Sequence, residues 1–190
     1  MNVRSHLSRP LLCFLLVCSW QARADPEVQI ERRNGVFHVR AEMPVGADAA
    51  TAWQVLTDYN RLAEFVPDMR SSRVVSAPGE PLLLEQKGET SLLIFSFNIE
   101  VVLRVEETPP HGISFRAVGG NMKQMRGAWR IDAAGLPVKI GYQVEIEPGF
   151  WVPPLIGSAL MHRDVRRKID AVVQEMQKRY AAAHPDAAPQ

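Results

Sequence analysis

The chain has 190 residues, of which 46% are hydrophobic and 23% charged, and a formal net charge of +1. That balance gives no electrostatic basis for binding nucleic acid, and the length makes one domain with a sizeable core the default. Both cysteines, Cys13 and Cys18, lie near the N-terminus, so no disulfide is expected among the later residues.

The first residues read as an export signal. Arg4 and Arg9 supply a positive start, Leu11 to Val17 a short apolar run with Phe14 inside it, and Ala22-Arg23-Ala24 the small residues a signal peptidase needs. The run is shorter than the roughly 20 residues of a membrane span. Cleavage is expected after Ala24, leaving 25–190 as one domain, periplasmic or secreted. An uncleaved anchor and an acylated Cys18 are the alternatives. Loss of Arg4, Arg9 and Arg23 takes the net charge from +1 to −2.

Two extended runs between Val28 and Val45 flank Asn34-Gly35, a hairpin signal because both residues tolerate positive φ. Phe37, Val39, Ala41 and Met43 share one face. Asp48 is placed to cap a helix with apolar positions Ala49, Ala52, Trp53 and Leu56. Asp58-Tyr59-Asn60 breaks it, and a short second helix ends at Phe65-Val66-Pro67. Strands are expected over Val74–Ala77 and Leu82–Lys87, joined at Pro78-Gly79-Glu80-Pro81.

Ile94 to Val105 alternates most clearly: Phe95, Phe97, Ile99, Val101, Leu103 and Val105 on one face, Ser96, Asn98, Glu100 and Arg104 on the other. Ile113, Phe115 and Ala117 follow, then Met125, Gly127, Trp129 and Ile131, then Val138, Ile140, Tyr142, Val144 and Ile146. Short turns between consecutive strands imply an antiparallel meander with one wet face. Pro153-Pro154 opens a closing helix. Leu155, Ile156, Ala159, Leu160, Ile169, Val172, Val173, Met176 and Tyr180 trace its apolar stripe, with Arg163, Arg167, Lys168, Glu175 and Lys178 opposite. The tail from Ala181 reads as frayed. The class is α+β, with a curved antiparallel sheet wrapped around the long C-terminal helix and two short helices after the first strands.

Several residues carry this resemblance: AWQVLTDYNRLAEFVPDM from Ala52 to Met69, Ser72-Arg73, Glu85-Gln86-Lys87-Gly88, Gly127-Ala128-Trp129 and the long last helix. Together they resemble the START-like superfamily, also called polyketide cyclase/dehydrase and lipid transport or SRPBCC. The likeness is nearest to bacterial proteins similar to coenzyme-Q-binding START proteins. It implies a helix-grip fold with a cavity between sheet and last helix. It also implies hydrophobic ligands such as lipids, isoprenoids, sterols or polyketides, with a minority of members being enzymes.

A pocket built from Phe95, Phe97, Met125, Trp129 and Tyr142 suits a large apolar ligand, and the same residues would equally fill a solid core. Gln86 is placed to hydrogen-bond a carbonyl, a neighbouring backbone group or solvent. Phe65, Met69, Ile156 and Leu160 complete the expected ligand set, and Phe150 and Trp151, in a Pro/Gly-rich connection, are expected as a lid or membrane-touching loop. Arg104 and Arg126 fall on the wet face. His162-Arg163-Asp164 reads as a solvated helical turn. His38, His111, His162 and His184 are scattered and show no metal-ligand spacing. No cofactor and no catalytic group is expected, and the sequence leaves the oligomeric state open. The expectation is an exported carrier of a hydrophobic small molecule. The alternatives are a cyclase, aromatase or dehydratase with Tyr142 as proton donor, and an interaction module using the Phe150-Trp151 loop.

Overall fold

The structure is a computed structural model that describes residues 27–92, 95–135, 137–152 and 154–185; the side chains of 91, 92, 95 and 154–159 are not described. The expected export segment, 1–24, lies outside the described residues.

β1 (Glu27–Arg33) and β2 (Val36–Val45) form a hairpin. Asn34 and Gly35 turn it with φ of 52° and 87°, as a two-residue turn between twisted strands requires. Phe37, Val39, Ala41, Met43 and Val45 of β2 are all buried. α1 (Ala49–Thr57) starts at Asp48, whose Oδ1 accepts from the Thr51 backbone N–H at 2.7 Å. Its deepest residues are Ala52 and Val55; Trp53, expected on the core stripe, is half-buried beside them. Asp58 ends the helix, a 3-10 turn spans Tyr59–Arg61, and α2 covers Leu62–Phe65.

β3 is Met69–Val74, not Val74–Ala77. Asp68, at φ 59°, swings the chain straight from α2 into the sheet. Because β3 lies at the sheet edge, its sequence MRSSRV is polar, and no alternation marks it. β4 (Leu83–Leu92), β5 (Phe95–Thr108), β6 (Gly112–Gly120), β7 (Met122–Asp132) and β8 (Val138–Pro148) then run as an antiparallel meander. The eight strands are ordered β1-β2-β8-β7-β6-β5-β4-β3, so β2 pairs with β8.

α3 (Pro154–Ala183) lies on the concave face and carries helical structure past Tyr180, into the stretch expected to fray. Ile169, Val172 and Met176 are buried as the stripe predicts, and Val165 joins them. Around Met176 the helix is packed solid against the sheet and α1; further toward its N-terminus the packing opens. The fold is thus a curved antiparallel sheet gripping a long terminal helix.

On the convex face, in-register pairing aligns Glu31, His38, Glu145, Arg126, Arg116 and Arg104 in one row across six strands. Arg126 is held by Glu145 at 2.7 Å. A polar groove of about 650 Å³ runs along this face. Arg104 and Arg126 therefore face away from the interior, as alternation predicts.

Candidate functional site: an apolar cavity under the terminal helix

A second space of about 280 Å³ lies between the concave face and α3. Ile99, Val101, Leu103 and Val105 come to it from β5, every second residue, and Trp129 and Tyr142 face it as a cross-strand pair. Their rings lie 4.3 Å apart, tilted by 35°. Ile99, Met125, Trp129, Tyr142 and Ile146 sit mid-sheet yet are only partly buried. The surface they keep is turned to the cavity. A filled core would bury such residues completely, because interiors are packed like organic crystals.

Gly88 shapes one wall. A Cβ there would stand 2.6 Å from the Asp68 carbonyl oxygen, so only glycine lets the α2–β3 turn lie against β4. The Glu89 N–H then donates to that same oxygen at 2.9 Å. Asp68, Lys87 and Glu89 make this end of the lining charged and partly exposed. Asp68 is tied across it to Arg167 of α3.

Of the residues expected to contact a ligand, Met69, Gln86, Phe97, Met125, Trp129, Tyr142, Phe150 and Leu160 line the cavity. Phe150 stacks on Phe97, centroids 5.1 Å apart. The Gln86 amide points toward Ser72 Oγ at 3.4 Å, a long contact. Phe65 is not on the wall; it lies under the Arg179 guanidinium, 5.6 Å from its ring centre, while Leu62 and Val66 face the cavity instead. Trp151 is 72% exposed and stands outside the wall. The side chains of Phe95 and Ile156 lie outside the described residues.

Two lining residues were expected on a solvated face. Asp164 is only 13% exposed and Lys168 30%; both reach the cavity, and Lys168 Nζ donates to Asp164 Oδ2 at 2.7 Å. The signal was present: Leu160, Asp164, Lys168 and Val172 recur every four residues along one helical face. Burial first, and the Asp164 charge second, raise the Tyr142 hydroxyl above the ordinary tyrosine pKa. Among the described residues no group of three His, Cys, Asp or Glu side chains could hold a metal ion, and no helix is long and apolar enough to cross a membrane.

Solved structures share this architecture. An aromatase/cyclase, Zhui, from Streptomyces sp. R1128 superposes with a TM-score of 0.65 at 17% identity, covering 78% of this chain and 98% of its own. A STAR-related lipid transfer protein from Xanthomonas axonopodis gives 0.58 at 15% identity, covering 80% and 98%. Human STARD10 gives 0.60 at 10% identity, covering 89% and 84%. At such identities the likeness is one of fold. No curated protein matches the sequence significantly. Residues 45–173 match a family described as polyketide cyclase/dehydrase and lipid transport, a span that takes in α1, the whole meander and most of α3. The chain belongs to that family.

Proposed function

We propose that this protein is an exported carrier that holds one hydrophobic small molecule between its sheet and α3. The observation that carries this reading is the cavity: a space of about 280 Å³ between sheet and α3, walled mainly by apolar side chains, with the charged Asp68, Lys87 and Glu89 among its lining. Concave apolar sites with few polar groups are where small molecules bind, and about 280 Å³ lies just below the roughly 300–1,000 Å³ of drug-sized pockets. The volume favours a single chain or a few rings over a two-tailed phospholipid. An isoprenoid or a quinone-like molecule, the ligand class implied by the likeness to coenzyme-Q-binding proteins, is of this kind. Export to the periplasm or the medium rests on the N-terminal charge, apolar run and Ala22-Arg23-Ala24.

Trp151, exposed beside the cavity-lining Phe150, supports a brief membrane contact during loading, since exposed aromatics settle at membrane interfaces. One observation favours an enzyme instead: the Tyr142 hydroxyl faces the cavity beside an acid. Its raised pKa makes it a weak proton donor, which favours the carrier.

Native mass spectrometry of the protein purified from its own host tests the reading. A co-purifying apolar molecule that is lost from Phe150→Ser is the expected result. A protein that is empty and fails to take up any apolar probe overturns it.

A further inference from the structure

The polar groove of about 650 Å³ lies on the opposite face of the sheet from the apolar cavity. Five arginines and three glutamates line it. Glu31 pairs with Arg33, and Glu145 holds Arg126. Arg40, Arg104 and Arg116 make no ion pair and no side-chain hydrogen bond among the described residues, and Glu106 is the one acid of the lining left beside them. Arg104 of β5 stands directly opposite Arg116 of β6, and Arg116 directly opposite Arg126 of β7. Like charges so placed, on strands about 4.8 Å apart, repel each other. Arg104 is only partly exposed and its Nε is a buried donor without an acceptor, so water screens it incompletely. The floor beside this row is low, because Gly127 and Ala128 bring almost no side chain. Ser114, two residues before Arg116 on the same face, adds a hydroxyl.

We infer that Arg104, Arg116 and Ser114 form a binding site for a phosphate monoester carried by a soluble molecule. A doubly charged group offsets two cations that face each other, and its three terminal oxygens accept from two guanidinium forks and a hydroxyl at once. A carboxylate, a sulfate ester or a phosphodiester brings a single charge and leaves one arginine uncompensated. One guanidinium fork already fills the two oxygens of a carboxylate. An anionic bilayer fits a recessed site poorly. It would meet the flanks first, where Glu31 on β1 and Glu106 on β5, the outermost strands of the groove, repel it. The site does not depend on the cavity, and either can fail alone.

Three small probes test this by amide-shift titration in NMR: methyl phosphate, methyl sulfate and acetate, at about pH 8, where the phosphate carries both charges. On the unmodified protein methyl phosphate is expected to shift β5 and β6 saturably around Arg104 and Arg116. It is expected to bind at least about tenfold tighter than methyl sulfate. Arg104→Gln and Arg116→Gln are each expected to weaken it about tenfold, the loss of one charge-assisted contact. Arg130→Gln, on the same face of β7 but outside the groove, is expected to change it by less than about twofold. An equal loss in Arg130→Gln overturns the site, because general charge is then what the anion senses. Methyl sulfate or acetate binding as tightly as methyl phosphate overturns the assignment to a phosphate monoester. No saturable shift on the unmodified protein overturns the site outright, and that comparison needs no variant to fold. Vesicles of phosphatidylglycerol that hold the unmodified protein and release Arg116→Gln overturn the soluble ligand in favour of a membrane.

Discussion

Replacing Ile99 and Ile146 together by phenylalanine adds roughly 25 Å³ of side chain at each position, roughly 50 Å³ in all, to a space of about 280 Å³. Both residues line the cavity from β5 and β8, strands with two others between them, so the effects are expected to add. Phenylalanine suits a strand and brings no polar atom to satisfy. At about 24 cal/mol per Å³ of void removed, filling is worth at most about 1.2 kcal/mol of added stability. In a solid core the same changes overpack two sites at about 1–3 kcal/mol each, a loss of about 2–6 kcal/mol. The alternatives differ in sign. Urea unfolding of the double variant is expected to show an unchanged or higher midpoint, and titration with an apolar probe a clear loss of affinity. An unfolding free energy lowered by more than about 2 kcal/mol, with probe binding intact, would refute a hollow interior.

Other outcomes follow from single contacts. Gly88→Ala drives a Cβ against the Asp68 carbonyl and should lose about 1–3 kcal/mol. Gly141→Ala, whose nearest neighbour would be Arg130 Cβ at 3.8 Å, should stay within about 1 kcal/mol by the same unfolding assay. Asp48→Ala removes the α1 cap and should lose about 1 kcal/mol at neutral pH. Hydrogen bonds from Thr51, side chain first and backbone second, hold the Asp48 carboxyl below its ordinary 3.8, so this contribution is complete above that pH. It drains away as pH falls through the lower folded value, and unfolding curves at neutral and strongly acidic pH should show the two proteins converging. Tyr59 is pushed upward by burial first and then by its 2.6 Å hydrogen bond to Glu107, and Tyr142 by burial first and then Asp164. Neither should ionise near the usual tyrosine value of about 10. Tyr59→Phe and Tyr142→Phe should therefore leave the ultraviolet titration unchanged up to that pH; loss of one tyrosine's amplitude in either would contradict the burial described.

Much of the fold is legible because its signals are local. Asn34-Gly35 fixes a turn through backbone freedom, Asp48 a helix start through one hydrogen bond, and the even spacing from Phe97 to Val105 a strand with one dry face. β3 escapes such reading, since an edge strand buries little and its polar residues alternate with nothing. The void is illegible for a different reason. Ile99 or Trp129 would occupy the same register over a filled interior, and only the curvature of the sheet and the stand-off of α3 decide which exists. The same ignorance hides Asp164 and Lys168: charges on a helix read as solvated until an internal space is known to lie beneath them. Phe65, the larger residue, loses the wall to Leu62 and Val66 because α2 is a single turn and its end points at Arg179.

The pairing of β2 with β8 has a consequence for how the molecule is made. Synthesis runs from the N-terminus, so the first hairpin is finished long before Val144 exists to sit beside Val39. Through that interval the greasy row from Phe37 to Val45 has β1 on one side and no partner on the other, and the charged residues of β1 and the intervening Arg40 and Glu42 are its local shield against sticking to other chains. Closing so distant a seam is slow compared with forming any turn within the meander. The seam is where assembly waits, and a weakened β8 would show itself as aggregation of nascent chains before it showed itself as a less stable finished protein.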